Sequence, residues 1–147
     1  MIDAFLTPVS FLDAAVRRGV STDESVVASA LDRVRADRVE AIFISHSHFD
    51  HAFDVASIAL RTGATVFGSE STLNIARGGG VPEAQLRLFD LVTSVQVGDL
   101  AVRTLASRHS PNPVGGEGVT IATPLLQPAP HWNDFFCPVH PPLPLQR

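Results

Sequence analysis

His46-Ser47-His48-Phe49-Asp50-His51 puts three imidazoles and one carboxylate into six residues. Neutral imidazole nitrogen and carboxylate oxygen are the ligands that zinc and its first-row neighbours prefer. The stretch follows the apolar run Ala41-Ile42-Phe43-Ile44, which reads as a buried strand over 40–45. His46 and His48 are two apart. If extended geometry persists for two residues beyond the strand, both rings leave one face and can grip one ion. Asp50 and His51 are adjacent, so they belong in a turn or a first helical turn, where they can serve a second ion. Residues 52–62 read as a helix closed by Gly63, and a helix N-terminus at Asp50 favours the carboxylate through the macrodipole.

Outward from the motif, Ala64-Thr65-Val66-Phe67-Gly68 reads as the next strand. Strand, helix and strand in this order form the parallel crossover of a layered α/β fold. Residues 69–77 are predicted as a short helix opened by Ser69 and stopped at Gly78-Gly79-Gly80. That triple glycine lacks the spacing and the lysine of a phosphate loop. Residues 82–87 are predicted as a helical turn or two. Strands near 92–97 and 100–106 are joined by Gly98-Asp99, a two-residue hairpin turn. Upstream, 11–18 is read as a short helix. Ser21-Thr22-Asp23-Glu24 has the Ser-x-x-Glu spacing of a capping box. The helix after it, about 23–36, is expected to bury Val26, Val27, Ala30, Leu31 and Val34, with Asp32, Arg33 and Arg35 on its wet face.

The pattern His46-x-His48-x-Asp50-His51 resembles the HxHxDH signature of the metallo-β-lactamase superfamily. The setting agrees: a buried strand before the motif, a helix after it, and Ile2-Asp3 similar to the Ile-Asp that ends an early strand. Gly98 to Leu105 is similar to the turn and strand that lead to a further histidine, here His109 in Ala106-Ser107-Arg108-His109-Ser110-Pro111. The resemblance implies that His46, His48 and His109 hold a first metal, and that Asp50 and His51 contribute to a second. Asp50 would also orient or deprotonate the bridging water, as the catalytic residue. The implied cofactor is zinc, binuclear in the intact family, with manganese or iron as alternatives. The implied fold class is α/β: a partial αββα metallo-β-lactamase-like sandwich, its N-terminal half, over 1–123.

The family's later bridging Asp and final His have no clear counterpart here. His131, Asp134 and His140 follow His109 too closely and lie in a Pro-rich stretch. From Pro124 the composition shifts: prolines crowd into 124–147 and no glycine follows Gly118. That segment is expected to be an irregular Pro-rich tail. A frameshift or premature stop in a GC-rich gene would give such a tail, and the chain is expected to be a truncated first half. Residues 110–118 form a loop beside His109 that could shape a substrate pocket.

The composition sets outer bounds. The hydrophobic share of 45% over 147 residues is enough for a core. The net charge of −4, without a basic stripe, gives a polyanion no footprint, so no nucleic-acid partner is expected. All eleven basic residues are arginine, which excludes lysine Schiff-base chemistry. The single cysteine, Cys137, excludes an intrachain disulfide. No apolar stretch approaches a membrane span and no signal peptide is evident, so the default location is cytoplasmic.

Two functions follow. One is a metal-dependent hydrolase whose metal-bound hydroxide attacks an ester, lactone, amide or phosphodiester in a small-molecule substrate. The other is a non-catalytic fragment that binds metal weakly, or that needs another chain to complete its core and so oligomerises through an exposed sheet face.

Overall fold

A computed structural model describes residues 1–9, 20–34, 38–88 and 94–105. The expectations for 11–18, His109, the 110–118 loop and the 124–147 tail lie outside these residues.

Among the described residues the first helix, α1 (Glu24–Arg33), starts at Asp23, whose side chain accepts from the backbone N–H of Ser25 and of Val26. The capping box expected from Ser21 is therefore corrected. Asp23 sits two residues closer to the helix and offers a charged acceptor, and Glu24 turns away to Ser57 Oγ, at 2.8 Å. The apolar stripe is narrower than expected: Val27 and Leu31 are buried, one turn apart, whereas Val34 follows the last helical residue and stays exposed.

Strand β1 (Ala41–Phe43) is buried throughout. Two helices follow it, α2 (Phe49–Ala52) and α3 (Val55–Thr62), then β2 (Thr65–Gly68), α4 (Glu70–Gly78), a 3-10 turn (Glu83–Gln85) and β3 (Leu86–Leu88). The sheet order is β1-β2-β3, parallel throughout, with Ile42 opposite Val66 and Val66 opposite Leu86. Ile2 bridges to Phe43 on the free side of β1, also parallel. The 82–87 segment is thus only partly helical; its last two residues belong to β3, whose three residues are too few to show alternation. Gly63, at φ 74°, ends α3 in the left-handed conformation that glycine adopts without strain. Ser69 caps α4 through Thr72 N–H, as expected.

The helices cover one sheet face. Ile42, Ile44, Val66 and Leu86 pack there with Phe53, Ile58, Leu73 and Ile75. A buried residue of this size contributes about 1.5–3 kcal/mol relative to leaving it exposed. On the opposite face Phe43 stacks on Phe67, ring centroids 4.8 Å apart. Gly79 lets α4 end against α3: a Cβ there would lie 2.2 Å from the Cβ of Ala56. Strands β4 (Ser94–Val97) and β5 (Leu100–Arg103) form a separate antiparallel hairpin. Its turn has positive φ at Gly98, as the Gly-Asp dipeptide predicts.

The helix expected over 52–62 is broken, and the break positions the motif. Asp54 is fully buried, and its carboxylate accepts from Leu6 N at 2.6 Å, Thr7 N at 2.7 Å and Thr7 Oγ at 2.7 Å. Ala4 N donates to His51 O, and Asp54 N donates to Ala4 O. The chain turns at Phe53-Asp54 to make these bonds, so one helix becomes two. Phe5 closes over the junction, edge-on to Phe49 and Phe53.

Candidate metal centre

The motif leaves the sheet at the carboxyl end of β1, where ligands of parallel α/β sheets gather. The regular strand ends at Phe43 and the chain bends at Ser45 and again at His48, although the His48 backbone itself is extended, at φ −63° and ψ 151°. The rings come together at the end of this segment. His46 Nε2 and His48 Nδ1 are 2.9 Å apart. The His46 ring centroid lies 4.3 Å from that of His48 and 4.0 Å from that of His51. All three are half-buried. Asp50, more exposed, places Oδ2 3.6 Å from His51 Nε2.

The neighbouring N-terminal segment supplies a carboxylate that the motif does not contain. His51 Nδ1 is 2.8 Å from Asp3 Oδ2. Asp3 also accepts from Ser45 N at 2.9 Å and from Ser45 Oγ at 3.0 Å. Burial pushes the Asp3 carboxyl up, but the bonds from Ser45 and His51 outweigh it and hold it below the ordinary carboxylate value. Among the described residues Asp3 is the one non-glycine with positive φ, at 53°. Aspartate tolerates that region better than most side chains.

The side chains therefore form two pairs. His46 and His48 turn ring nitrogens toward each other, and Asp50 and His51 approach through Oδ2 and Nε2. Two nitrogens bonded to one zinc at about 2.0–2.1 Å with tetrahedral angles stand roughly 3.4 Å apart. The His46–His48 contact is somewhat tighter, as two rings sharing a proton should be. Imidazoles and a carboxylate at these separations fit a first-row divalent cation. Among the described residues no three His, Cys, Asp or Glu side chains close around a single ion position. That follows from the pairing, since each pair offers two ligands. His109, the third ligand implied for the first pair, lies outside the described residues, as do His131, Asp134 and His140.

Sequence reasoning found the four motif residues and missed what holds them. Ile2-Asp3 was visible only as part of a resemblance, with no role for Asp3. Ser45, Asp54 and Thr7 carried no signal, because their partners are 42 to 48 residues away in the chain. Ser47 is fully buried and, among the described residues, its Oγ is the one buried side-chain polar atom without a hydrogen-bond partner.

A sequence profile of the family described as "Metallo-beta-lactamase superfamily" matches residues 3–135. A UPF0173 metal-dependent hydrolase from Pyrobaculum calidifontis is 33% identical over 123 residues, covering 82% of this chain and 53% of that protein. A protein of the same description from Chloroflexus aurantiacus is 38% identical over 78 residues, 53% of this chain and 32% of its own length. One from Myxococcus xanthus is 34% identical over 74 residues, 50% of this chain and 25% of its own length. The matches span about half the length of these relatives, or less.

Proposed function

The chain belongs to the metallo-beta-lactamase superfamily, and from that premise we propose that the cluster at the end of β1 is the metal centre of a metal-dependent hydrolase. The observation that carries the reading is the 2.9 Å approach of His46 Nε2 to His48 Nδ1, with His51 beside them and anchored on Asp3. The description of the relatives as metal-dependent hydrolases supports it.

His46 and His48, with His109, would hold a first cation, and Asp50 and His51 would contribute to a second. Zinc suits this donor set, with manganese or iron as alternatives. Bound cations would supply Lewis-acid polarisation of an acyl or phosphoryl oxygen and lower the pKa of a coordinated water. Asp50, half exposed and next to His51, would orient that water and take its proton. Asp3 holds His51 through Nδ1 and leaves Nε2 for the centre. The substrate class is a small-molecule ester, lactone, amide or phosphodiester. No helix among the described residues is long and apolar enough to cross a membrane. The acidic balance gives no footprint for nucleic acid.

One observation favours a second reading. Leu100 on the hairpin and Leu105, two residues beyond it, are 69% and 76% exposed. An apolar surface of this kind suits a covering layer from another chain, in which case the isolated chain would bind metal weakly and would not turn over.

Metal per chain, measured with hydrolysis of a nitrophenyl ester and a bis-nitrophenyl phosphate, separates the two. Two ions per chain, with turnover reduced to background in His48→Ala and in Asp50→Ala, is expected. One ion or none, without turnover, would replace the hydrolase with the second reading.

A further inference from the structure

Ser45 links the strand to the first histidine, and its hydroxyl touches three of the groups described above. Its Oγ lies 3.0 and 3.2 Å from the two Asp3 oxygens, 3.1 Å from His46 Nδ1 and 3.3 Å from His51 Nδ1. Its backbone N–H reaches Asp3 Oδ1 as well. A hydroxyl has one proton to donate and two lone pairs to offer. An ionised carboxylate can only accept, so the Ser45 proton goes to Asp3. What remains on Oγ is acceptor capacity, and a ring nitrogen facing it must carry hydrogen. His46 is therefore protonated on Nδ1, as His51 is where it donates to Asp3 at 2.8 Å. Each ring then directs the lone pair of Nε2 away from Ser45, toward His48 in one case and Asp50 in the other. The hydrogen bond at one imidazole nitrogen decides which nitrogen is free to bind a metal.

We propose that Ser45 is a positioning residue that ties His46 and His51 to one carboxylate, Asp3, so that the two ligand pairs are oriented as a unit. The part concerning metal rests on the reading above; the part concerning ring orientation does not. Asp3 acts on His51 directly, whereas the Ser45 hydroxyl links it to His46.

The test uses the full chain, free of metal and labelled with 15N, as the unsubstituted protein and as Ser45→Ala and Ser45→Thr. Long-range 1H–15N correlations of neutral imidazoles report which ring nitrogen is protonated, and titration with cobalt(II) reports affinity. In the unsubstituted chain His46 and His51 are expected to be protonated on Nδ1. In Ser45→Ala the His46 ring is expected to become a mixture of tautomers while His51 keeps Nδ1–H. Cobalt affinity should fall about 10-fold, the low end for a lost outer-shell partner, and Ser45→Thr should restore both readouts. The proposal is overturned if His46 carries its proton on Nε2, or if Ser45→Ala leaves its tautomer and cobalt affinity unchanged. A loss that Ser45→Thr does not repair, accompanied by unfolding of the metal-free chain, also overturns it, because Ser45 would then be structural only. Should the unsubstituted chain bind no cobalt, the metal reading fails separately, and the tautomer measurement still decides whether Ser45 orients His46.

Discussion

The parallel sheet and the β4–β5 hairpin are built from similar apolar residues and meet opposite fates. In the sheet, Ile42, Ile44 and Val66 are fully buried beneath α3 and α4. In the hairpin, Val95, Val97 and Val102 are only half-buried, and Leu100 and Ala101 are exposed. Both regions pair their backbones in regular register. What separates them is a covering layer. The sheet has helices whose apolar faces match it, whereas among the described residues the hairpin has no helix upon it. A two-stranded ribbon gains little from its own pairing. The candidate metal-ligand cluster sits on the first region, at the end of its best-buried strand.

Removing the Phe53 ring breaks the comparison hardest. Phe53 is 1% exposed and lies in the core cluster beneath the motif helices. Phe53→Ala should cost about 3–5 kcal/mol, read by denaturant unfolding. A cost under about 1 kcal/mol would mean that the helical layer is no better packed than the hairpin.

A smaller effect is expected at the rim of that layer. The Asp23 carboxyl is held below its ordinary value by the Ser25 side chain and by the Val26 and Ser25 backbone N–H groups. A depressed carboxyl stabilises the fold above its unfolded-state value and loses that contribution as the pH falls through the folded-state value. Helical signal should therefore be lost as the pH drops below about 4. Asp23→Asn, which caps without a charge, should remove this part of the pH dependence. An unchanged acid transition in Asp23→Asn would move the acid sensitivity elsewhere.

The smallest effect belongs to the hairpin. Leu100→Thr should shift stability by no more than about 0.5 kcal/mol, as at other exposed positions. A loss several times larger, or one that depends on protein concentration, would show that the leucine is covered in solution by another chain.

The parts of this fold that were legible in sequence are those with local causes. Gly63 and Ser69 mark helix ends because each acts on its own turn, and Gly98-Asp99 sets its hairpin for the same reason. Strand β1 is legible because it, with Ile44 after it, is buried on both faces and therefore continuously apolar. The break at Phe53-Asp54 was not legible, because the periodicity of 52–62 is continuous and the bonds that break it come from Leu6 and Thr7. Val34 was misread because periodicity does not say where a helix stops. The candidate ligand residues His46, His48, Asp50 and His51 were legible as a motif. The anchoring of His51 was not, since its partner Asp3 lies 48 positions away.

Asp54 gives the site a mechanical character. Its carboxylate gathers three donors from Leu6 and Thr7, and Thr7 Oγ in turn accepts from Asp23 N at 2.9 Å. Asp3 lies just before this knot and His51 just before Asp54 itself. The segment that carries Asp3 is thus fastened to the helices after the motif by a buried clasp. Local opening of the candidate site would then be shared by residues 3–7 and 45–54, and would not be a property of the six-residue motif by itself.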